Sequence, residues 1–258
     1  MTTEEKKVKT NSKDFTVSEV KKSKGDDFFA DFNLDDLKMT MEEMLEAGVH
    51  FGHKKSRRDP RMEQFIYGTK KGVNIINLQA TAVNLEKALA YISEIKKSGK
   101  KILFVGTKKQ AKDLVKSAAK RCQMPYVIER WLGGTFTNFS NIKKRTKYLK
   151  DLQAQIESGE LKKYTKFEQS KKKEEAEKLE RRMGGIKNMD DLPAAIFAID
   201  TKEDAAAITE AIKKNIPVIA LVDTNVNPTR VNYPIPSNDD AVSSIKLMLG
   251  YVCRTIIK

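Results

Sequence analysis

The residues best suited to chemistry lie in one short stretch, residues 130–138, and in the basic residues that follow it. The stretch offers an aromatic ring, two glycines, hydroxyl groups and a side-chain amide. This combination, together with the basic residues that follow, is typical of proteins that bind irregular RNA. Cations pair with phosphates, whereas amides, hydroxyl groups and aromatic rings contact sugars and bases. The sequence therefore predicts an RNA-binding surface that includes Arg130, Trp131, Thr135, Asn138, Asn141, Lys143, Lys144, Arg145 and Lys147.

Further cations are concentrated in an arginine-rich loop (residues 54–61), at a predicted hairpin tip and after the first buried strand. Cations in loops or at helix N-termini can hold an RNA phosphate without any catalysis. Trp131 could stack on a base or sugar, but packing at the base of the adjoining helices is an equally good interpretation. The additional predicted RNA-binding residues are Lys54, Lys55, Arg57, Arg58, Arg61, Lys70, Lys71, Lys108 and Lys109.

Two histidines and two acids could form a divalent-metal site. His50 and His53 are three residues apart, and Asp200 and Asp223 each end a buried strand, at the edge where α/β proteins place their sites. Helix capping by Asp200, a turn at Asp223 and ordinary hydrogen bonding by the histidines explain the same residues without an ion. Both interpretations remain open at this point.

Enzymatic motifs are absent from the sequence. The loop at residues 105–110 has one glycine, whereas a dinucleotide fingerprint needs three and a P-loop needs Gly-Lys-Ser/Thr. No nucleophile, base and orienting group occur together at a useful spacing. We predict a protein that is not an enzyme and needs no cofactor, with a structural divalent ion left open. The alternatives are a nucleotide-binding enzyme or sensor recruited to RNA, and a helical adaptor for protein partners.

Composition supports a polyanionic partner. The chain has 49 Lys and Arg against 35 acids, a formal charge of +14, and such an excess favours phosphate neutralisation and counterion release. Only two cysteines are present, Cys122 and Cys253, and we expect them to be buried free thiols. The first residues lack the apolar stretch of a signal peptide, and no apolar run is long enough to span a membrane. These features predict a cytoplasmic location.

The elements that position these residues follow a helix-strand alternation. Residues 102–105, 126–128, 194–199 and 217–222 are apolar runs without alternation, and helical segments separate them. Strands that are apolar on both faces indicate a parallel sheet covered by helices on both sides. A capped helix from Thr40, two strands at 65–67 and 73–77, and a helix at 78–97 precede this sheet. The predicted fold is α/β, a doubly wound, flavodoxin-like parallel sheet.

A long insertion interrupts the α/β pattern. Apolar positions in residues 139–156 mark one helix, and Thr165 and Glu168 form a capping box for a second helix whose apolar positions are few. We expect a helical-hairpin, coiled-coil-like arm that projects from the sheet. Residues 130–187 contain 16 Lys and Arg against 8 acids, so this arm carries more than half of the net charge. The predicted domains are an extension (1–39), a globular domain (40–129 and 188–258) and the arm (130–187).

The N-terminal extension has the composition of a disordered segment, because Lys, Ser, Thr and Asp dominate its first part. Its last part interleaves aromatic and aliphatic residues with aspartates, which is typical of a short segment that orders on a partner. Packing of the same residues on their own domain is an equally good interpretation. The predicted partner-docking residues are Phe28, Phe29, Phe32, Leu34 and Leu37.

Residues 40–257 resemble a known family, the ribosomal protein S2 family of the small ribosomal subunit, in its bacterial form. The resemblance rests on collinear segments at residues 45–53, 75–78, 102–108, 130–134, 179–187, 216–225 and 235–241. Arg58 and Asn74 stand where this family commonly has an aromatic residue and a histidine. So many segments in the same order do not arise by chance.

The resemblance implies a structural protein that binds small-subunit rRNA and supports translation. It also implies contacts with neighbouring small-subunit proteins, including the mRNA-capturing first protein, and a ribosome-bound location in the cytoplasm. Neither a membrane nor a second copy of the chain is an expected partner. The function expected from the sequence is thus that of a non-enzymatic ribosomal constituent.

Overall fold

The computed structural model describes residue 37 and residues 39–257. The described strands are β1 (Phe51–Lys54), β2 (Ile66–Lys70), β3 (Val73–Ile76), β4 (Ile102–Val105), β5 (Tyr126–Val127), β6 (Ala195–Ala198), β7 (Val218–Val222) and β8 (Tyr233–Pro236). The described α-helices are α1 (Met41–Glu46), α2 (Leu78–Lys97), α3 (Lys112–Arg121), α4 (Phe139–Glu157), α5 (Lys166–Met183), α6 (Ala205–Lys213) and α7 (Val242–Ile257).

A parallel sheet of five strands, in the order β5-β4-β6-β7-β8, forms the centre of the fold. Numbered within this sheet alone, the order is 2-1-3-4-5, which is that of flavodoxin-like proteins, and the α/β prediction is confirmed. The edge strand β8 was not predicted, because Pro234 and Pro236 cannot donate to a ladder. Proline is tolerated here because the outer side of an edge strand needs no donor.

The two faces of this sheet bury separate apolar cores. Ile102 and Phe104 of β4 face a core that α2, α3 and α7 cover. Leu103 and Val105 of the same strand face the second core, which α6 and the ends of α4 and α5 cover. Successive side chains of a strand point to opposite faces, so a strand covered on both sides is apolar throughout.

A second, three-stranded antiparallel sheet has the order β1-β3-β2. Strand β1 was not predicted, because its sequence, Phe-Gly-His-Lys, is neither an apolar run nor a regular alternation of apolar and polar residues. Gly52 lies where a side chain would overlap Thr224, which follows β7. This close approach brings β1 against the carboxyl edge of the parallel sheet.

The insertion contains the two predicted helices, α4 and α5. Thr165 and Glu168 form the predicted capping box, with the Thr165 N–H donating to Glu168 Oε2 at 3.0 Å. Side chains join the helices, since the Gln153 amide donates to Glu180 at 2.9 Å. Phe167, one of the few apolar residues of α5, is 68% exposed and lies under the Lys171 ammonium.

Leu37 is the part of the predicted docking segment that the structure describes. Its side chain is buried in the core beneath α7, and its carbonyl accepts a hydrogen bond from Arg254. Partner docking is therefore wrong for Leu37, which packs on its own domain. Phe28, Phe29, Phe32 and Leu34 lie outside the described residues. Within residues 39–257, the helices are too short or too polar to cross a bilayer.

Candidate functional site

One carboxylate organises the loop that precedes α4. Glu210 of α6 accepts hydrogen bonds from the Trp131 indole N–H at 3.1 Å and from the backbone N–H of Gly134 at 2.7 Å. Its second oxygen accepts from the backbone N–H of Phe136 at 2.9 Å and from the N–H of Thr137 at 3.2 Å. Glu210 thus holds residues 131–137 against α6 and determines the position from which α4 begins.

The electrostatics of Glu210 follow from these donors. Partial burial by itself would raise the pKa of Glu210, but the N–H groups of Phe136, Gly134 and Trp131 outweigh burial and lower it. Gly134 has a φ of +90°, which L side chains rarely adopt, and this turn aims its N–H at the carboxylate. The ionised form of Glu210 is therefore the one that the loop stabilises.

Two residues of the predicted RNA-binding stretch are buried by this arrangement. Trp131 is 7% exposed and packs edge-on against Phe136, with ring centroids 4.9 Å apart. Thr135 is 1% exposed, and its hydroxyl donates to the Leu132 carbonyl at 2.6 Å. Stacking on RNA is wrong for Trp131 and contact with RNA is wrong for Thr135. The alternative interpretation of Trp131, packing at the base of the helices, is confirmed.

The other predicted residues of this stretch are on the surface. Lys143 lies in the first turns of α4 and donates to the Asp190 carbonyl at 2.9 Å. Burial is on the opposite side of the helix, where Ile142, Thr146 and Leu149 pack inward. The exposed members of the set are Arg130, Asn138, Asn141, Lys143, Lys144, Arg145 and Lys147.

A second group of cations lies at one end of the three-stranded sheet. Lys54 of β1 and Lys70 of β2 both pair with Val73 of β3, one on each side of it. The backbone N–H of Lys55 donates to the carbonyl of Gly72 at 2.9 Å, so the hairpin tip and the start of the arginine-rich loop adjoin. The exposed cations of this region are Lys54, Lys55, Arg57, Arg61, Lys70 and Lys71.

Two further side chains belong to this region. Arg58 is half-buried and lies 3.5 Å from the exposed Glu63 carboxylate. Tyr67 of β2 was not predicted, yet 82% of it is exposed beside the hairpin tip. A large aromatic ring left in water near several cations is suited to stacking on a base.

Lys108 does not belong to the exposed set. Its ammonium lies 2.7 Å from one oxygen of Asp239, 2.7 Å from one of Asp240 and 3.3 Å from Asp200. Only 12% of the Lys108 side chain is exposed, so contact with RNA phosphate is wrong for it. The neighbouring Lys109 is exposed.

The Lys108 ion pairs occupy the crevice between β4 and β6. In a 2-1-3-4-5 sheet the strand order reverses between these strands, and doubly wound proteins bind ligands outside the carboxyl ends of the strands at this point. Lys108 follows β4 and Asp200 follows β6. An internal salt-bridge network therefore fills the place where a nucleotide would bind.

His53 and Asp223 lie beside this network. His53 Nδ1 is 2.9 Å from Asp223 Oδ2, and His53 Nε2 is 3.4 Å from Asp240 Oδ2. Contact with the Asp223 carboxylate is the largest influence on the pKa of His53 and raises it; burial opposes this, and Asp239 and Asp240 add to it. The backbone N–H of His53 donates to the Thr224 hydroxyl at 2.9 Å, which fixes β1 at this edge.

The other two predicted metal ligands, His50 and Asp200, do not belong to the cluster of possible ligand atoms. His50 stacks on Phe51, with ring centroids 3.9 Å apart, and is outside the cluster. Asp200 accepts from the backbone N–H groups of Lys202 at 2.7 Å and Glu203 at 3.1 Å, so it stabilises the turn that precedes α6. Helix capping is wrong for Asp200, because α6 begins at Ala205 and its N-cap is Asp204. The predicted set is only half assembled, and Asp239 and Asp240 complete it in place of His50 and Asp200.

Acids outnumber cations at this edge. Burial, together with repulsion from Asp200 and Asp223, raises the pKa of Asp239 to about 7 despite its pairing with Lys108. Burial would lower the pKa of Lys108, but Asp239, Asp240 and Asp200 raise it above its ordinary value. The raised pKa of Asp239 and the raised pKa of Lys108 have one cause, because several carboxylates share a single ammonium. The same surplus of acid extends to Asp204, whose pKa burial raises to about 6.

Three residues of the site, Glu210, Asp239 and Asp240, were not predicted from the sequence. Asp239 and Asp240 follow β8, the strand that proline content concealed, so their place at the carboxyl edge was hidden with it. Glu210 is an ordinary acid in a helix, and only its contacts with residues 131–137 distinguish it. A signal for Asp239 existed in the resemblance, which included residues 235–241.

Comparisons with known proteins give one family and several relatives that this chain resembles in sequence. A family model described as "Ribosomal protein S2" matches residues 44–258. Among curated proteins, the chain is similar to the "Small ribosomal subunit protein uS2" of Chloroflexus aurantiacus, with 44% identity over 220 residues, covering 85% of this chain and 92% of that protein. It is also similar to the protein of the same name from Coprothermobacter proteolyticus, with 46% identity over 220 residues, covering 85% and 82%.

Proposed function

The chain belongs to the ribosomal protein S2 family, and from this premise we propose that its exposed cations bind small-subunit rRNA. The protein is a structural constituent of the small ribosomal subunit, supports translation and is not an enzyme. It works in the cytoplasm, bound to the ribosome. The observation that carries the proposal of rRNA contact is the exposure of the cations that open α4.

The contrast between two groups of cations supports this assignment. Lys143, Lys144 and Arg145 open α4 and are exposed, whereas Lys108 is enclosed by carboxylates at the sheet edge. Exposed cations can exchange their counterions for RNA phosphates, but a cation already paired inside the protein cannot. RNA is therefore bound by the α4 cations and by the hairpin cations, and the sheet edge stabilises the protein itself.

The domain boundaries and the remaining partners belong to the same proposal. α4 and α5, with residues 130–187, form the basic arm, and residues 40–129 and 188–258 form the globular domain. The protein contacts neighbouring small-subunit proteins, among which we include the mRNA-capturing first protein, and the part of the extension (residues 1–39) that precedes Leu37 docks on a neighbour. The protein acts as a single copy, away from membranes. This function requires no cofactor.

The test is the salt dependence of binding to small-subunit rRNA. We expect Lys143→Ala, Lys144→Ala and Arg145→Ala together to weaken binding and to reduce the slope of log K against log salt by up to about 3 units, because each lost phosphate contact reduces it by about 1. A matched control replaces Lys97, Lys100 and Lys101, which are exposed before the amino end of β4.

The control variant, with three lysines replaced, removes the same amount of charge from a different surface. It should leave the slope within about 0.5 units of the wild-type value, because these lysines lie outside the proposed RNA-binding groups. Equal slopes for the two triple variants would refute the assignment. In that case only long-range attraction by net charge would remain, and no particular side chain would be in contact with RNA.

A further inference from the structure

The edge of the parallel sheet contains a second kind of site, independent of RNA. His53, Asp223, Asp239 and Asp240 each offer one ligand atom, and these atoms all lie within 4.8 Å of one another. We propose that this cluster binds one divalent first-row transition-metal cation, with Zn²⁺ and Mn²⁺ as the fitting ions. The cation would join β1 to the segments that follow β7 and β8.

An unpartnered oxygen points to a ligand at this place. Asp223 is 1% exposed, and its Oδ1 accepts from the backbone N–H and hydroxyl of Thr224. Its Oδ2 is buried and accepts no hydrogen bond, although His53 Nδ1 lies 2.9 Å away. A buried carboxylate oxygen without a donor is costly, and a cation would satisfy it.

The spacing of the ligand atoms suits coordination. Bonds of about 2.1 Å place adjacent ligand atoms about 3.0 Å apart in an octahedron and about 3.4 Å apart in a tetrahedron. The distance of 2.9 Å between His53 Nδ1 and Asp223 Oδ2 is close to the octahedral value, and one ligand atom from each of the four residues lies within 4.8 Å of the others. One imidazole nitrogen and neighbouring carboxylate oxygens can therefore face a common ion after small side-chain adjustments.

Lys108 leaves room for the cation. Its ammonium contacts Oδ1 of Asp239 and Oδ1 of Asp240, together with Asp200. The Oδ2 atoms of Asp239 and Asp240 can then bind the ion, so each carboxylate bridges the ammonium and the metal. Three acids, Asp200, Asp239 and Asp240, share the one ammonium, while Asp223 is in contact with His53 instead. A divalent cation would neutralise much of the remaining negative charge.

The donor set determines the class of ion. Imidazole nitrogen and carboxylate oxygen together favour Zn²⁺ or Mn²⁺, whereas Mg²⁺ and Ca²⁺ prefer oxygen alone. The cluster assembled by the described residues contains no thiolate, which argues against Cu⁺ and iron-sulfur chemistry. Our proposal therefore predicts that both Zn²⁺ and Mn²⁺ bind more tightly than Mg²⁺.

The test uses the full-length protein, freed of metal by chelation and titrated with Zn²⁺, Mn²⁺ or Mg²⁺ in a calorimeter. We expect one Zn²⁺ or one Mn²⁺ per chain, a higher melting temperature with either, and an electron paramagnetic resonance signal of protein-bound Mn²⁺. Asp240→Asn should weaken Zn²⁺ binding by at least about 100-fold, since losing even an outer-shell partner costs about 10- to 100-fold.

Two further variants complete the design. Asp239→Asn should weaken metal binding as Asp240→Asn does. If Asp239→Asn fails to fold, Asp240→Asn alone tests the proposal, because 53% of the Asp240 side chain is exposed and its replacement should not disturb folding. His50→Gln is the matched control, since His50 lies in the same segment but outside the cluster, and it should bind as the wild type does. Substoichiometric binding by the wild type, unchanged affinity in Asp240→Asn, or equal weakening by His50→Gln would overturn the proposal.

Discussion

Removing the carboxylate of Glu210 should release the loop that precedes α4. In Glu210→Ala the N–H groups of Gly134, Phe136 and Trp131 lose their acceptor. A hydrogen bond to a charged group contributes about 1.5 to 3 kcal/mol, and a stranded buried donor costs about 1 to 3 kcal/mol. Glu210 is only partly buried, so water replaces part of this, and we expect a loss of about 2 to 3 kcal/mol.

The assay is urea unfolding together with hydrogen exchange. Glu210→Ala should lower the free energy of unfolding by that amount, and the backbone N–H of Phe136 should exchange faster. Glu210→Gln should show a smaller loss, because its amide oxygen still accepts but its NH₂ faces other donors. Glu86→Ala, an exposed acid of α2, is the control and should stay within about 0.5 kcal/mol of the wild type.

The pH dependence has a definite sign. Because the folded protein lowers the pKa of Glu210, its stabilising contribution is fully present above the ordinary glutamate pKa. It is lost as the pH falls through the lower, folded-state pKa. The stability difference between wild type and Glu210→Gln should therefore shrink in acid below about pH 4.

Glu210 should affect RNA binding only indirectly, by positioning the start of α4, and this effect can be distinguished from that of a residue that contacts RNA. Glu210 carries no positive charge, so Glu210→Ala should weaken rRNA binding without reducing the salt slope. If Glu210→Ala has the same free energy of unfolding as the wild type and the Phe136 N–H stays protected from exchange, Glu210 does not hold the loop. The loop would then be held by other contacts.

Three further changes test other parts of the structure. Leu37→Ala should lower the free energy of unfolding by about 2 to 4 kcal/mol in urea, because Leu37 is buried; no loss would show that it does not belong to the core. Gly185→Ala should lower the melting temperature, because a methyl group there would overlap the Tyr126 carbonyl, whereas Gly133→Ala, with open space around it, should not; equal effects would contradict this. Deleting residues 1–36 should leave the free energy of unfolding and the affinity for rRNA unchanged. It should weaken a contact with a neighbouring ribosomal protein, as measured by pull-down from small subunits.

Local pattern was enough to predict most elements of the fold. α2 was predicted at residues 78–97 and is Leu78–Lys97, and each predicted buried strand is present within one or two residues. These elements repeat an apolar pattern over their own length, so burial on one or both faces can be read from neighbours in the chain. Strands β1 and β8 were missed because a short irregular strand and a proline-containing edge strand carry no such pattern.

The exposure of polar residues was less predictable. Cations in the first turns of α4 and at the hairpin tip are exposed as expected, since nothing in the described residues encloses them. Lys108 and Thr135 looked equally available in sequence, but Thr135 is buried and only 12% of the Lys108 side chain is exposed. Their partners differ in distance along the chain: Thr135 bonds to Leu132 nearby, whereas Lys108 pairs with Asp239, 131 residues away.

The sequence by itself determined the elements, the fold class and the surplus of positive charge, because each depends on residue type and short-range periodicity. Tertiary structure alone decided which charged side chains meet. The strand order β5-β4-β6-β7-β8 brings Lys108, Asp200, Asp223 and Asp239 to one edge, and the packing of β1 adds His53. Charge interactions depend on distance in space, and folding alone makes residues that are far apart in sequence neighbours.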